Sequence, residues 1–221
     1  MTSTAHPWRL PAGLMALGAI PIVFGSLRVI ELLGGPETMP VQARFTDSPV
    51  PVVLHIASAI PYLVLGAFQF SASLRRRRPA WHRRTGRLLV PLGLTVALSA
   101  LWMNQFYVDP EGRNELLYVF RLLFGTAMAW SILLGLVAVR RRDFARHRVW
   151  MTRAYAIALG AGTQVFTLGF GQAIFGKTEL TTAVLQALAW VINLAVAEWA
   201  LRRPSAASRR PRRLALVSDA A

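Results

Sequence analysis

"RRRRPAWHRRTGR", residues 75–87, sets seven arginines and a histidine between two long apolar runs. A similar phrase, "RRRDFARHRVWMTR", returns at residues 140–153. In a soluble domain a net charge of +15 and a pI near 11.8 would direct attention to nucleic acid. Here 54% of the residues are hydrophobic and the mean hydropathy is +0.42, so the meaning of the charge depends on where it sits.

Working outward from residues 75–87, six predominantly apolar runs appear, at 11–33, 50–73, 88–107, 117–139, 154–175 and 180–201. Each is long enough as a helix, at about 1.5 Å per residue, to cross the roughly 30 Å of hydrocarbon in a bilayer. The expected fold is all-α, an integral membrane bundle of six transmembrane helices. A helix apolar on every side also suits the core of a large soluble protein, but 221 residues leave too little polar sequence to cover six of them. The first run exceeds a signal-peptide apolar core and no A-x-A site follows, so it reads as a retained helix. Residues 1–201 are expected to form one six-helix domain, with 202–221 a basic, disordered cytoplasmic tail.

The arginines then fix an orientation. Seven lie in 75–87, six in 140–153 and six in 202–213, with Arg9 before the first run. Short cytoplasmic loops carry the Lys/Arg excess, which places both termini in the cytoplasm and residues 34–49, 108–116 and 176–179 outside. Glu37, Asp47, Asp109, Glu111, Glu115 and Glu179 fall in or beside those outer connections. The basic runs therefore read as orientation signals and contacts to anionic lipid headgroups. No nucleic acid is expected as a partner, since neither an aromatic-interleaved single-strand platform nor a helix-turn-helix pattern is present. Arginine outnumbers lysine by 24 to 1, which suits a GC-rich bacterial genome, and the expected location is the bacterial inner membrane.

There are no cysteines, which removes thiolate metal sites and cysteine nucleophiles. Nor does an H-E-x-x-H, G-x-S-x-G, P-loop or paired-carboxylate motif appear, so no catalytic residue is assigned. Pro21, Pro61 and Pro91 fall inside the first three runs and read as kinks that neighbouring helices satisfy. Gly160, Gly162, Gly169 and Gly171 in the fifth run permit close helix approach or leave room for a ligand, with tight packing the plainer reading. Both basic loops carry A-x-H-R, at Ala80 to Arg83 and Ala145 to Arg148, a weak hint of an internal repeat.

Ionisable and amide groups at membrane depth are the best functional pointers, because lipid makes them expensive. With the orientation above, Arg28 and Glu31, His55, Asn104 with Gln105, Arg121, Gln172 and Gln186 share one outer layer. One reading is a ligand-binding site using Arg28, Glu31, His55, Gln105 and Arg121, with an arginine holding an anionic or carbonyl group and His55 exchanging protons. The plainer reading is internal satisfaction, with Arg28 paired to Glu31 and Arg121 snorkelling outward. A second cluster at the cytoplasmic side comprises His82, Arg83, Arg87, His147, Arg148, Trp150 and Arg153. His82 follows Pro79, a suitable first-turn residue, so its helix is expected to start in the loop. His82 and His147 are the residues available to ligate a metal, as a b-type haem; phosphate binding by the arginines and plain interfacial anchoring beside Trp81 are the alternatives.

Three phrases together, "LHIASAIPYLVLGAFQF", "RRRRPAWHRRTGR" and "RRRDFARHRVWMTRAYAIALGAGTQ", resemble the bacterial multi-pass membrane proteins grouped as domain of unknown function 2306. The residues carrying the resemblance are His55, Gln69, His82, Arg83, Gly86, Arg87, His147, Arg148, Trp150, Met151 and Arg153, and it covers roughly residues 50–165. The resemblance implies an integral membrane protein, and an arginine near the position where this chain has Gln164. It supplies no reaction, substrate or cofactor. The leading functional expectation is a small-ligand binding or transport-like protein with no cofactor; the rival is a membrane redox protein with haem between His82 and His147, and a structural subunit is the third possibility.

Overall fold

The computed structural model describes residues 8–107 and 112–203. Within them the chain forms helices α1 (Arg9–Leu32), α2 (Ala43–Asp47), α3 (Pro49–Gln69), α4 (Ala72–Arg77), α5 (Pro79–Phe106), α6 (Glu115–Arg140), α7 (Phe144–Ala158), α8 (Gly160–Phe175) and α9 (Glu179–Arg202), with no strand among the described residues. Local chemistry sets most of the starts. Pro49 and Pro79 occupy the first turns of α3 and α5, where a missing N–H costs nothing. Asn114 Oδ1 accepts from Leu117 N at 2.9 Å, Asp143 Oδ1 from Arg146 N at 3.0 Å, and Thr178 forms a reciprocal capping pair with Thr181. Pro21, Pro61 and Pro91 all lie inside helices that continue through them.

Five helices, α1, α3, α5, α6 and α9, are each long and apolar enough to cross a membrane, and α7 with α8 make a sixth span bent by 41°. Large apolar side chains project from the outside of the bundle, among them Phe24, Leu54, Leu98, Leu123, Trp130 and Phe170. Such a surface suits lipid rather than water. The molecule is an all-α, multi-pass membrane bundle.

The packing order explains its interior. Helices α1, α3, α5, α6, α9 and α8 touch in sequence around a ring that closes where α8 meets α1. Helix α7 does not join that ring. It packs on α6, α9 and α3, and Ala154, Tyr155, Ala156 and Ile157 are buried, so α7 fills the centre of the half that carries the arginine-rich loops. Tyr155 donates to Leu63 O at 2.7 Å, and its ring lies 5.0 Å from Phe70 and 6.0 Å from Tyr62. Gly66 makes room for that ring, as a Cβ there would stand 2.5 Å from Tyr155 Cε2.

At Leu159 the span breaks and α8 leaves the centre for the rim. Gly160 lies against the Trp190 indole and Gly162 against the carbonyl of Leu17, each so closely that a Cβ would overlap its neighbour. Gly171 packs on Leu185 in the same way, whereas Gly169 faces open space. A helix end inside a membrane leaves carbonyls without partners, and Asn193 answers for one of them. Its Nδ2 donates to Ala156 O at 3.1 Å, while Thr163 Oγ1 donates to Asn193 Oδ1 at 2.8 Å.

The sequence reading differs at three places. It treats 154–175 as one continuous span, whereas the helix starts at Phe144 and is broken after Ala158, because close contacts at Gly160 and Gly162 pull α8 onto α1 and α9. It carries the second run to residue 73, but α3 ends at Gln69, and Ser71 caps the separate α4 by accepting from Leu74 N. The outer connection 34–49 holds the short α2. Asp109, Glu111 and residues 204–221 of the expected tail lie outside the described residues.

Candidate functional site

Because α7 occupies the centre of one half only and α8 swings to the rim, the centre of the other half is hollow. A half-open cavity of about 450 Å³ lies there. Ile157 and Ala158, the last turn of α7, form part of its lining, and α1, α3, α5, α6, α8 and α9 supply the rest. Most of the lining is apolar, including Ile56, Leu63, Met128 and the stacked pair Phe124 and Trp190, whose centroids are 4.7 Å apart. The polar side chains among its lining are His55, Tyr62, Asn104, Tyr107, Arg121, Gln164, Gln186 and Arg44, together with the Trp190 indole. A mostly apolar chamber with a few convergent polar groups is the usual form of a small-molecule site.

Those groups are already partly organised. His55 Nδ1 lies 3.1 Å from Val96 O and 3.0 Å from Ser99 Oγ, which fastens the ring to α5. Asn104 Nδ2 donates to Tyr118 O at 3.0 Å. Arg121 Nη2 donates to Gln186 Oε1 at 3.4 Å, and Gln164 Nε2 donates to Gln186 O at 3.4 Å, so α6, α8 and α9 are tied at one level. The described residues lining the cavity include two arginines and no carboxylate.

Arg28 and Glu31 do something different. They pair with each other at 3.0 Å, and Glu31 Oε1 accepts from the backbone N–H of Thr38 and Met39 and from Thr38 Oγ1 at 2.8 Å. Arg28 Nη2 donates to Pro40 O at 3.2 Å and its guanidinium sits 5.6 Å from the centre of the Phe45 ring. Phe45 packs on Tyr107 with centroids 5.6 Å apart, and Tyr107 Oη donates to Ser48 O. The connection between α1 and α3 is thus folded into a cap, pinned by the Arg28–Glu31 pair on one side and by Tyr107 on the other, with Arg44 and Phe45 lining the cavity beneath. Neither Arg28 nor Glu31 lines the cavity, and Gln105 also stands outside it, accepting from Tyr118 Oη at 2.7 Å.

At the arginine-rich end, His82 sits in the first turn of α5 and His147 in the first turn of α7. His147 Nδ1 is 2.9 Å from Gly135 O. Arg153 donates to Glu198 Oε1 at 2.6 Å, joining α7 to α9, and its guanidinium lies 4.8 Å from the centre of the Trp150 ring. Arg83, Arg87 and Arg148 are exposed. A second, smaller cavity of about 220 Å³ opens at this end between Trp8, Ser71, Ser73, Leu74, Arg77 and Arg78. Neither of these two cavities is lined by His82 or His147. Among the described residues no three His, Asp or Glu side chains gather in a way that could hold a metal ion.

Residues 52–201 match the family model described as "Predicted membrane protein (DUF2306)". The chain belongs to this family. No curated protein and no solved structure matches it. The matched segment runs past the 50–165 of the sequence resemblance to take in the rest of α8 and nearly all of α9, so α7 and α8, the two helices that meet at the break, both lie within it.

The DUF2306 phrases fall on both halves of the bundle. His55 alone among the residues that carry them lines the large cavity. Gln69 and Gly86 meet where α3 packs on α5, and Gln69 Nε2 is buried without a hydrogen-bond partner among the described residues. Met151 packs on Gly135, where a Cβ would stand 2.7 Å from its sulfur. Gln164, near which the family resemblance implies an arginine, lines the cavity. Arg44, Phe45 and Tyr107 carried no recognisable signal, since they lie in or beside a connection. Asn193 and Thr163 do carry one, each being a polar residue inside an apolar run.

Proposed function

We propose that this chain is a small-ligand binding or transport-like protein of the bacterial inner membrane. Its ligand is a molecule with an apolar body and an anionic or carbonyl group. Supporting this, a cavity of about 450 Å³ is lined by polar side chains from α3, α5, α6, α8 and α9. Arg121 supplies planar donors to the anionic or carbonyl group, and the aromatic pair Phe124 and Trp190 receives the apolar body.

In this reading the arginine-rich end lies at the cytoplasmic leaflet among anionic headgroups, both termini are cytoplasmic, and the cavity with its cap faces outward. Arg28 and Glu31 act through the cap rather than on the ligand. The break between α7 and α8 lies beside the cavity, as discontinuous helices do in many transporters.

Thermal unfolding of the purified protein in detergent, titrated with benzoate as probe, tests the reading. Benzoate is expected to raise the midpoint in a saturable way. Arg121→Ala is expected to weaken its binding about tenfold, the loss of one charge-assisted hydrogen bond. Absence of any shift with the wild-type protein, or an identical titration for the variant, contradicts it.

The rival reading, haem between His82 and His147, draws support from one feature. Gly135 O holds His147 Nδ1, which leaves Nε2 as the lone-pair atom, the arrangement metal-bound histidines adopt. A stoichiometric Soret band lost on His147→Ala would establish it in place of the anion site's cofactor-free reading.

A further inference from the structure

The hydrogen bonds of His55 say more about the ligand than its location does. A backbone carbonyl can only accept, so the contact with Val96 O assigns the ring proton to Nδ1. Ser99 agrees. Its hydroxyl is directed back along α5, donating to Thr95 O at 2.5 Å or to Val96 O at 3.1 Å, so Ser99 Oγ meets the imidazole as an acceptor. The neutral ring therefore keeps Nε2 as a bare lone pair. No hydrogen bond to Nε2 is present among the described residues, while the ring itself lines the cavity.

The cavity thus carries opposite hydrogen-bonding characters on different walls. Helix α6 brings the donor-only guanidinium of Arg121, and α3 brings the His55 imidazole, whose acceptor is Nε2 because Nδ1 is engaged with Val96 O. A simple carboxylate answers the first and leaves the second unmet. An acceptor in a largely apolar chamber selects for a partner that brings a proton, because an analogue lacking the donor leaves the lone pair desolvated and unpaired.

Resting on the anion-site reading above, we infer that the ligand is a hydroxylated apolar-bodied acid: a hydroxyl donates to His55 Nε2, a carboxylate is held by Arg121, and the body between them lies against the Phe124–Trp190 pair. Ser99 is a positioning residue, since it acts only by holding the imidazole.

The probes are 4-hydroxybenzoate, 4-methoxybenzoate and benzoate, titrated calorimetrically against the purified protein in detergent. The methoxy compound keeps the oxygen and the carboxylate but has no proton to donate. Wild-type protein is expected to bind 4-hydroxybenzoate about tenfold more tightly than 4-methoxybenzoate. In His55→Phe the ratio should fall to about one. In His55→Gln, which retains an amide oxygen as acceptor, part of it should survive. Equal affinities for the hydroxy and methoxy compounds in the wild type, with benzoate still binding through Arg121, overturn this inference and leave the anion site standing. Failure of all three probes to bind overturns both. A preference that persists undiminished in His55→Phe also overturns the inference, since the hydroxyl is then recognised elsewhere.

Discussion

The two halves of the bundle are built from the same ring of helices and differ in what stands at the centre. In the arginine-rich half α7 fills it with Ala154, Tyr155, Ala156 and Ile157, while in the other half α8 has moved to the rim and a cavity remains. His147 and His55 sharpen the contrast. Each ring holds a backbone carbonyl through Nδ1, Gly135 O for one and Val96 O for the other, yet only His55 borders either of the two cavities. A tautomer fixed by the backbone is thus no mark of a site until there is room beside the other nitrogen.

The largest effect is expected where α8 is drawn onto the rim. Gly162→Leu forces a side chain against the Leu17 carbonyl, which is backbone and cannot yield, and should cost at least about 3 kcal/mol, read as a loss of folded protein in detergent or a large fall in thermal midpoint. Gly169→Leu, seven residues on and facing open space, should stay within about 0.5 kcal/mol of wild type. Equal effects at the two positions would mean that the break is not held by close packing.

In the filled half, Tyr155→Phe removes the bond to Leu63 O and should destabilise by about 1 kcal/mol in the same unfolding measurement, without altering benzoate affinity. Asn193→Leu frees Ala156 O and Thr163 Oγ1 at the break. Membrane hydrogen bonds average about 0.6 kcal/mol, with about 1.7 as an upper value, so a small but measurable fall in midpoint is expected. The smallest effect concerns the rival cofactor. His147→Ala should leave the visible absorption spectrum of the purified protein unchanged, whereas loss of a Soret band would shift the functional centre to the arginine-rich half.

Much of this was legible in the chain itself. Apolar run length disclosed the spans, and Pro79 correctly announced that α5 starts in the loop and carries His82 in its first turn. The meeting of His55, Arg121 and Gln186 around one cavity followed the layer of polar residues at similar depth. Depth is a one-dimensional coordinate, however, and says nothing about which way around a helix a residue points. Arg28 and Glu31 share that depth yet turn to the connection between α1 and α3, where backbone N–H groups of Thr38 and Met39 compete for the carboxylate. The break after Ala158 was also hidden, because uninterrupted apolarity describes a straight span and a bent one equally well. Only the neighbours of Gly160 and Gly162 distinguish them.

The claim on which everything else rests is that lipid surrounds the bundle while water reaches its hollow half. The chain has no cysteine, so single substitutions can be labelled without background. Ala100 lines the cavity, and Leu98, two residues earlier on α5, is 58% exposed on the outer surface of the helix. In intact cells a membrane-impermeant, negatively charged methanethiosulfonate reagent should modify Ala100→Cys and spare Leu98→Cys. Modification of Leu98→Cys as fast as Ala100→Cys, or of Leu98→Cys alone, would contradict the account.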